Sequence, residues 1–371
     1  LERVRSRSMG MQKSEEFKEV IQVVYAQFVH LNIHIEHTGF IMDYKARDDM
    51  HIWLADRHEV PSEVTFPYFD SPHWNSFIEA KERGMDFFAN HLTFEEKNKF
   101  YQQLFSLFPV LPDETKDYYF NCPGLAISTV LLDDIGLYIE NFSGLPYTDE
   151  ENNTLMRFGK VFQQTYTRFL DLQKAEVQAR EAQIELGLER VRARAMAMQN
   201  SEELKELIGT VFTELTKLDL VLTRCVIMIY DHKTKGSTWW MANSEAPSDP
   251  IGLFIQYHEH HPYLAYVKAW QEKRIKWTYT LEGKVKKQWD DFLFVETELS
   301  NLPDFVIAGM KAPDRVYLNA SFNSFGNLTL ATIEPLSDEH FDIMLRFAKV
   351  FDLTYTRFND LKQAEAQARE G

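Results

Sequence analysis

One run of residues in the second half of the chain holds the densest group of potential metal ligands. It reads Y-H-E-H-H-P-Y over residues 257–263. His258 and His260 would share one face of a strand, whereas His258 and His261 would share one face of a helix. Imidazole and carboxylate groups bind zinc and similar ions. A solvated polar loop explains the same run, and residues 69–74 earlier in the chain hold a single histidine. We therefore predict no metal site.

The aromatic residues are the second candidate for chemistry. The chain has 7 Trp, 16 Tyr and 28 Phe, enough to line a small-molecule pocket in addition to a core. Apolar pockets with a few polar groups are the usual sites for small ligands, although most single aromatic residues belong to cores or interfaces. The predicted pocket residues are Trp53, His73 and Trp74 in the first half and Trp240, His258, His261, Trp270 and Trp277 in the second.

Catalytic signatures are missing from the sequence. It contains no phosphate-binding loop, dinucleotide fingerprint, H-E-x-x-H motif or G-x-S-x-G nucleophile motif. The two cysteines, Cys122 and Cys225, suggest no disulfide framework and favour a reducing compartment. We predict that this stretch is not an enzyme and that any catalytic domain lies elsewhere in a parent protein.

These residues lie in a chain that repeats itself. Residues 1–20 and 188–207 are identical at 14 of 20 positions, and residues 157–181 and 346–370 at 18 of 25. The offsets are 188 − 1 = 187 and 346 − 157 = 189 residues. A repeat of this length indicates a duplicated domain. We read the chain as an excerpt of a longer protein, with a partial connector helix at 1–13, domains at 14–150 and 201–336, a connector helix at 151–200 and the start of another at 337–371.

The connector is the longest helical pattern in the chain. Residues 155–222 contain no proline and are rich in good helix formers. Leu155, Phe158, Phe162, Phe169 and Leu172 follow the spacing of a coiled-coil seam. Leu188 and Val191 continue that spacing in another phase, which changes near Gly187. The pattern predicts a continuous helix that pairs in parallel with a second copy, with relay residues Phe158, Phe162, Phe169, Leu172, Gly187 and Val191.

Composition excludes several classes of function. The net charge of −16 argues against a nucleic-acid partner, because phosphate contacts need a basic face. No signal peptide and no run of eighteen apolar residues occurs, so we expect a soluble, cytoplasmic stretch without direct membrane insertion.

The segments between the connectors follow one order in both halves: helix, strands, central helices, strands, helix. In the first half, Ser14 and Thr93 are predicted helix caps, and residues 74–83 and 93–108 are predicted helices. The short links between successive strands favour antiparallel pairing. The predicted fold class is therefore α+β. The predicted strands of the first half are residues 34–44, 51–56, 63–69, 117–120, 125–132 and 136–141.

The connector motifs carry a resemblance to a known family. T-Y-T-R-F-x-D-L-x-x-A-E-x-Q-A-R-E occurs at residues 165–181 and 354–370, and L-E-R-V-R-x-R-x-M-x-M-Q-x-S-E-E at 1–16 and 188–203. Together they resemble the helical connectors between tandem GAF-like domains of bacterial sensor histidine kinases. In the domain bodies the resemblance is architectural. It implies two GAF-like domains, each a central antiparallel sheet flanked by helices, in a dimeric sensor that drives an output domain outside this chain.

The resemblance does not identify a ligand. The N-K-F-D-E signature of GAF domains that bind cyclic nucleotides does not occur. Cys122 is followed by Pro123 and Cys225 by Val226, unlike the Cys-His of many bilin-binding domains. The cofactor is therefore left unknown. Two functions remain open at this point. The domains bind a small molecule and relay the change along dimeric helices, or they are ligand-free spacers that dimerise and relay a signal.

Overall fold

The computed structural model describes residues 1–13, 16–56, 62–108 and 111–370. They form two compact units, Leu1–Gln178 (unit 1) and Ala179–Gly371 (unit 2). Each unit contains a six-stranded antiparallel sheet with helices packed against it. The predicted α+β class is confirmed, and the arrangement is consistent with two GAF-like domains. Ser14, the predicted helix cap, lies outside the described residues.

Unit 1 begins with two helices and alternates strands and helices up to a long final helix. The sheet order is β3-β2-β1-β6-β5-β4. The elements are α1 (Glu2–Met9), α2 (Phe17–His30), β1 (His37–Met42), β2 (Met50–Ala55), β3 (Ser62–Phe66), α3 (Pro72–Glu82), β4 (Phe87–Leu92), α4 (Phe94–Ser106), α5 (Asp113–Asn121), β5 (Leu125–Leu131), β6 (Ile135–Asn141) and α6 (Asp149–Met196).

Unit 2 has the same plan. Its sheet order, read from the matching edge, is β9-β8-β7-β12-β11-β10, so every strand pairs with the counterparts of its partners in unit 1. This shared order supports the duplication inferred from the sequence repeats. After a short 3-10 turn at Ser201–Glu203, the elements are α7 (Leu204–Lys217), β7 (Arg224–Tyr230), β8 (Ser237–Asn243), β9 (Ala246–Ile255), α8 (His261–Gln271), β10 (Trp277–Glu282), α9 (Gly283–Glu296), α10 (Asp304–Lys311), β11 (Arg315–Phe322), β12 (Gly326–Thr332) and α11 (Asp338–Glu370).

The sheet of unit 1 separates two apolar layers. Successive side chains of a strand point to opposite faces, and in β1 Phe40 belongs to one layer while Ile41 belongs to the other. The first layer contains α2 and the start of α6, with the ring centroids of Phe40 and Phe162 4.0 Å apart. The second contains α3, α4 and α5. Unit 2 repeats the two layers with its own helices.

The apolar stripe of α6 packs within the units, which corrects the predicted coiled-coil seam. Leu155, Phe158 and Phe162 are buried in the first layer of unit 1, and Phe169 and Leu172 pack against the same layer. Leu188 and Val191 are buried in the corresponding layer of unit 2. The phase of the stripe changes because its two ends serve two different cores. These side chains therefore give no reason to expect a dimer.

Gly187 is not a break in the helix. The backbone is helical throughout Asp149–Met196, and a Cβ added at Gly187 would lie 3.3 Å from Cζ of Phe347 and 3.5 Å from Oε2 of Glu214. The absence of a side chain at this position lets α6 approach α11 closely. Gly187 is therefore a packing glycine within unit 2.

Most sequence-predicted elements of unit 1 occur where expected, but one changes type. Residues 117–120, predicted as a strand, belong to helix α5. Asp113 and Glu114 lie in the first turn of α5, where carboxylates favour a helix start. Thr93 caps α4 as predicted, in a capping box with Glu96. The sequence prediction did not include β4, which forms an edge of the sheet.

Candidate functional site: a cavity at the same place in each unit

A cavity lies between the sheet of unit 1 and helices α3, α4 and α5. The space open to the centres of water molecules is about 90 Å³. An engineered apolar cavity of about 150 Å³ binds benzene, so this cavity is on the order of a single small ring. It is lined by His37, Ile41, Met50, Ile52, Leu54, Phe66, His73, Trp74, Phe77, Phe88, Phe100, Tyr101, Leu104, Tyr119, Ile127, Thr129, Tyr138 and Glu140.

Unit 2 has a cavity of the same size between its sheet and helices α8, α9 and α10, also about 90 Å³. Strand register shows that the two cavities are equivalent. Ile41 pairs with Ile52 in unit 1, and Met228 pairs with Trp239 in unit 2. All four side chains line the cavity of their own unit. The lining is Thr223, Arg224, Val226, Met228, Tyr230, Trp239, Met241, Tyr263, Tyr266, Leu281, Lys286, Trp289, Asp290, Leu293, Gly309, Met310, Pro313, Val316, Leu318, Thr329 and Ala331.

A buried ion pair forms the polar end of the unit 1 cavity. Nδ1 of His37 donates a hydrogen bond of 2.8 Å to Oε1 of Glu140, across the β1–β6 pairing. The hydroxyl of Tyr119 lies 3.3 Å from Nε2 of His37. Burial alone would lower the pKa of His37, but the hydrogen bond and charge of Glu140 outweigh it and raise that pKa. Glu140 therefore favours the protonated form of His37, in which the two side chains offset each other's charge.

Two more tyrosine hydroxyls lie at this end. Among the described residues, neither Tyr101 nor Tyr138 has a protein hydrogen-bond partner for its hydroxyl, although Tyr101 is only 4% exposed. Burial, reinforced by the charge of Glu140, raises the pKa of both. The ring of Tyr138 packs over Gly39, where an added Cβ would lie 1.9 Å from Cε1 of the tyrosine. Both groups stay protonated at neutral pH and are available as hydrogen-bond donors.

A histidine lies at another point of the same cavity. Nδ2 of Asn90 donates a 3.0 Å hydrogen bond to Nδ1 of His73, and the imidazole meets the ring of Phe100 edge-on at 5.0 Å. Burial lowers the pKa of His73 to about 4, so the ring is neutral at pH 7. Ser71 caps α3 and Pro72 occupies its first turn, and this local structure fixes where His73 and Trp74 begin the helix.

The unit 2 cavity has different polar groups, most of them paired. Nη2 of Arg224 donates a 2.9 Å hydrogen bond to Glu245, while Nε of Arg224 is buried without a hydrogen-bond partner among the described residues. Nζ of Lys286 donates to Asp290 at 2.6 Å. The hydroxyl of Tyr266 lies 3.2 Å from that of Thr329. His37 and Arg224 are each the first residue of the first strand in their units, so one backbone position holds different basic side chains in the two cavities.

A buried lysine recurs beside both cavities and was not predicted from the sequence. Lys97 is fully buried, and its Nζ donates to the carbonyl oxygens of Tyr119 and Cys122, at the end of α5, at 2.5 Å each. Lys286 donates to the carbonyls of Met310 and Lys311 at the end of α10. The two lysines are 286 − 97 = 189 residues apart, the offset of the second sequence repeat. Extending the repeat alignment into the domain bodies would have revealed the pair.

The structure places the predicted pocket residues in several environments. His73 and Trp74 line the unit 1 cavity. Trp53 and Trp240 pack with the helix layer on the opposite face of each sheet, because their neighbours Ile52 and Trp239 take the cavity face. His258, His261, Trp270 and Trp277 are outside the cavity lining. His258 packs on Phe292, His261 lies 2.6 Å from the Tyr279 hydroxyl, Trp270 stacks on Tyr230, and Trp277 contacts Tyr266.

The histidine run and the cysteines show no assembled centre. Among the described residues, no three His, Cys, Asp or Glu side chains group closely enough to hold a metal ion. Both cysteines are free. Burial raises the pKa of Cys225 and of Cys122, which disfavours the reactive thiolate. In the part of the chain that the structure describes, no helix combines the length and apolar character needed to cross a bilayer.

Comparison with known proteins finds no matching family model and no matching curated protein. Among solved structures, the chain is similar to bacteriophytochrome RpBphP3 from the photosynthetic bacterium R. palustris, with a TM-score of 0.32 and 12% sequence identity. The match covers 88% of this chain and 60% of that protein, so the chain spans less than two thirds of its length. A similarity this distant carries no argument about the ligand.

Proposed function

We propose that this chain is the sensory part of a signal-transduction protein, a tandem GAF-like module that binds a small molecule in one or both units. The observation that carries the proposal is the cavity found at the same place in each unit, between the sheet and the same three helices. Mostly apolar walls with a few converging polar groups are typical of small-ligand sites.

The relay step of the proposal concerns α6. Its residues Phe158 and Phe162 belong to the core of unit 1, while Leu188 and Val191 belong to that of unit 2. The α6 backbone is helical from Asp149 to Met196. A change in one core that moves its part of α6 would therefore also move the part of α6 that packs in the other core. We include in the proposal that α11 passes the change to an output domain, such as a histidine kinase, in a longer cytoplasmic protein.

We also include a homodimer in the proposal, supported by fewer side chains than the predicted coiled-coil seam. Leu170 and Val177 are seven residues apart on α6 and are 38% and 69% exposed. Residues seven apart lie on the same stripe of a helix, so the two side chains offer a short apolar contact for a parallel partner. Replacing both by aspartate is expected to lower the molecular mass in sedimentation at about 50 μM, a concentration at which micromolar dimers form.

A ligand-free relay module is the second candidate function. The small volume of both cavities and the internal pairing of Lys286 with Asp290 and Arg224 with Glu245 favour it. In that case the aromatic side chains act as a core, and the cavities are packing defects.

The two functions are separated by ligand detection with cavity-filling variants. Purified full-length chain is examined for bound metabolites by mass spectrometry, and a metabolite panel is screened by thermal shift, which increases when a ligand binds the folded state. Ile127→Phe narrows the unit 1 cavity, and Leu318→Phe, at the matching register position, narrows that of unit 2. A ligand shift that one variant removes and the other keeps supports sensing. The absence of any bound or shifting compound supports the ligand-free module.

A further inference from the structure

The polar end of the unit 1 cavity restricts what the cavity can bind. The charged side chains in its lining, His37 and Glu140, are paired with each other at 2.8 Å. Among the described residues, no lysine or arginine contributes to the lining. An anionic ligand would find no free countercharge there, and a cationic ligand would compete with His37 for Glu140. Burying an uncompensated charge is costly, so the cavity favours a neutral molecule.

The tyrosine hydroxyls supply the second restriction. Tyr101 and Tyr138 border the cavity, and the structure shows no protein acceptor for either hydroxyl among the residues it describes. Neither hydroxyl is among the fully buried polar atoms that lack a partner in the described residues, so a ligand acceptor would replace water as the partner of each. A carbonyl or hydroxyl oxygen has two lone pairs and can accept two hydrogen bonds. The rest of the lining, including Ile41, Ile52 and Phe77, is apolar.

We propose that the unit 1 cavity, as the ligand site of the proposed sensory function, binds a neutral molecule of about one ring whose carbonyl or hydroxyl oxygen accepts hydrogen bonds from Tyr101 and Tyr138. The apolar body of the ligand lies against the sheet residues Ile41 and Ile52 and against Phe77 of α3. This assignment is specific to unit 1, because the unit 2 cavity contains Arg224 and Lys286.

Three probes of one shape test the assignment on the full-length chain. Acetophenone carries the carbonyl, α-methylstyrene replaces it by a methylene group, and benzoate replaces the ketone by an anionic carboxylate. Dissociation constants are measured by ligand-observed NMR titration. We expect acetophenone to bind at least tenfold more tightly than benzoate, because the anion finds no countercharge. Tighter binding of benzoate than of acetophenone would overturn the proposal.

Two variants locate the oxygen of the ligand. Tyr101→Phe and Tyr138→Phe each remove a hydroxyl and keep the ring, and each should shift the acetophenone preference toward α-methylstyrene by about three- to tenfold, the effect of one hydrogen bond. Tyr266→Phe removes a hydroxyl from the unit 2 cavity and should leave the preference unchanged. If one variant fails to fold, the other carries the test. An unchanged preference in a folded Tyr101→Phe or Tyr138→Phe variant overturns the assigned oxygen site.

The Ile127→Phe variant shows whether a negative result means that the proposed ligand class is wrong or that the cavity is not the binding site. If the tyrosine variants change nothing but Ile127→Phe abolishes binding of both neutral probes, the sensory function survives and the ligand class is wrong. If Ile127→Phe also changes nothing, binding occurs elsewhere, and both proposals lose their support for unit 1. Failure of all three probes to bind at millimolar concentration rejects the ligand class alone, because the metabolite panel tests the sensory function independently.

Discussion

The first residue of the first strand shows how one backbone position serves two different cavities. His37 in unit 1 pairs with Glu140 on the neighbouring strand, whereas Arg224 in unit 2 pairs with Glu245 in the turn after β8. Ala331 occupies the position in unit 2 that Glu140 occupies in unit 1, opposite the first residue of the first strand. Because the glutamate lies at a different position in each unit, the first residue of the first strand points to a different neighbour. Duplication kept the fold and changed the polar chemistry.

The histidine in the unit 1 cavity predicts a loss of stability in acid. The pKa of His73 is about 4 in the folded chain and about 6.5 when unfolded. Between those values the unfolded chain binds more protons, so the free energy of unfolding falls as the pH drops from about 6.5 to about 4, by at most roughly 3 kcal/mol. Urea unfolding at several pH values measures the slope, and His73→Phe should flatten it.

Two comparisons control that measurement. Burial lowers the pKa of His258 to about 4 in unit 2 as well, so His73→Phe should retain part of the acid dependence. Replacing His91, which is exposed on β4, by Phe should leave the dependence of the parent chain intact. An undiminished slope in His73→Phe would show that the histidine is accessible to protons in the folded state.

The paired lysines predict unequal costs for the same substitution. Lys97→Met leaves the carbonyls of Tyr119 and Cys122 without their donor, which should lower the free energy of unfolding by about 1–3 kcal/mol. Lys286→Met also leaves the carboxylate of Asp290 without its cation, and should cost more, on the order of 3 kcal/mol or above. Denaturant unfolding compares them with Lys99→Met and Lys287→Met, exposed lysines on the same helices. Equal losses would show that the Asp290 pair contributes nothing.

At the scale of elements, the sequence predicts where a strand lies better than it predicts which face of that strand meets the cavity. The strand predicted at residues 51–56 corresponds to β2 at Met50–Ala55, but alternation alone does not tell whether Ile52 or Trp53 meets the ligand cavity. That depends on which face α3–α5 cover, a tertiary property. The Tyr118–Tyr119–Phe120 run favours a strand by propensity. It is helical because Pro112, Asp113 and Glu114 begin a helix there.

The candidate site was predictable in outline only. The sequence indicated aromatic pockets near the central strands and included His73 and Trp74, which line one. It did not indicate Tyr101, Tyr138 or the His37–Glu140 pair, whose members are 103 residues apart and meet only when β1 and β6 pair. Long-range pairing of this kind leaves no local signal.

Gly187 provides a prediction about helix packing. Alanine would gain up to about 1 kcal/mol of helix propensity, but its Cβ would lie 3.3 Å from the buried ring of Phe347. We expect Gly187→Ala to stay within about 1 kcal/mol of the parent chain in denaturant unfolding, because these effects oppose each other. Gly187→Leu should destabilise by about 1–3 kcal/mol through overpacking. Ala182→Leu, on an exposed position of the same helix, is the control. A stable Gly187→Leu would mean that α6 and α11 are not packed closely.

For the whole molecule, the location of the two cores on α6 decides where coupling between the units can be tested. An insertion beside Gly187 would disrupt the core of unit 2, since Ile184 and Leu188 are buried there. Residues 173–179 are exposed on every face of the helix. They form the stretch of α6 in which extra residues disturb neither core.

Insertions in that stretch give the final prediction. One residue added after Glu176 turns the rest of the helix by about 100°, whereas seven residues add nearly two full turns and restore its phase to within about 20°. If α6 relays the ligand signal as a rigid rod, ligand binding in unit 1 should change amide hydrogen exchange in α11 of the parent chain and of the seven-residue variant. The one-residue variant should lose this response. Equal responses in both variants would mean that α6 is a passive tether, and no response in the parent chain would mean that the units sense independently.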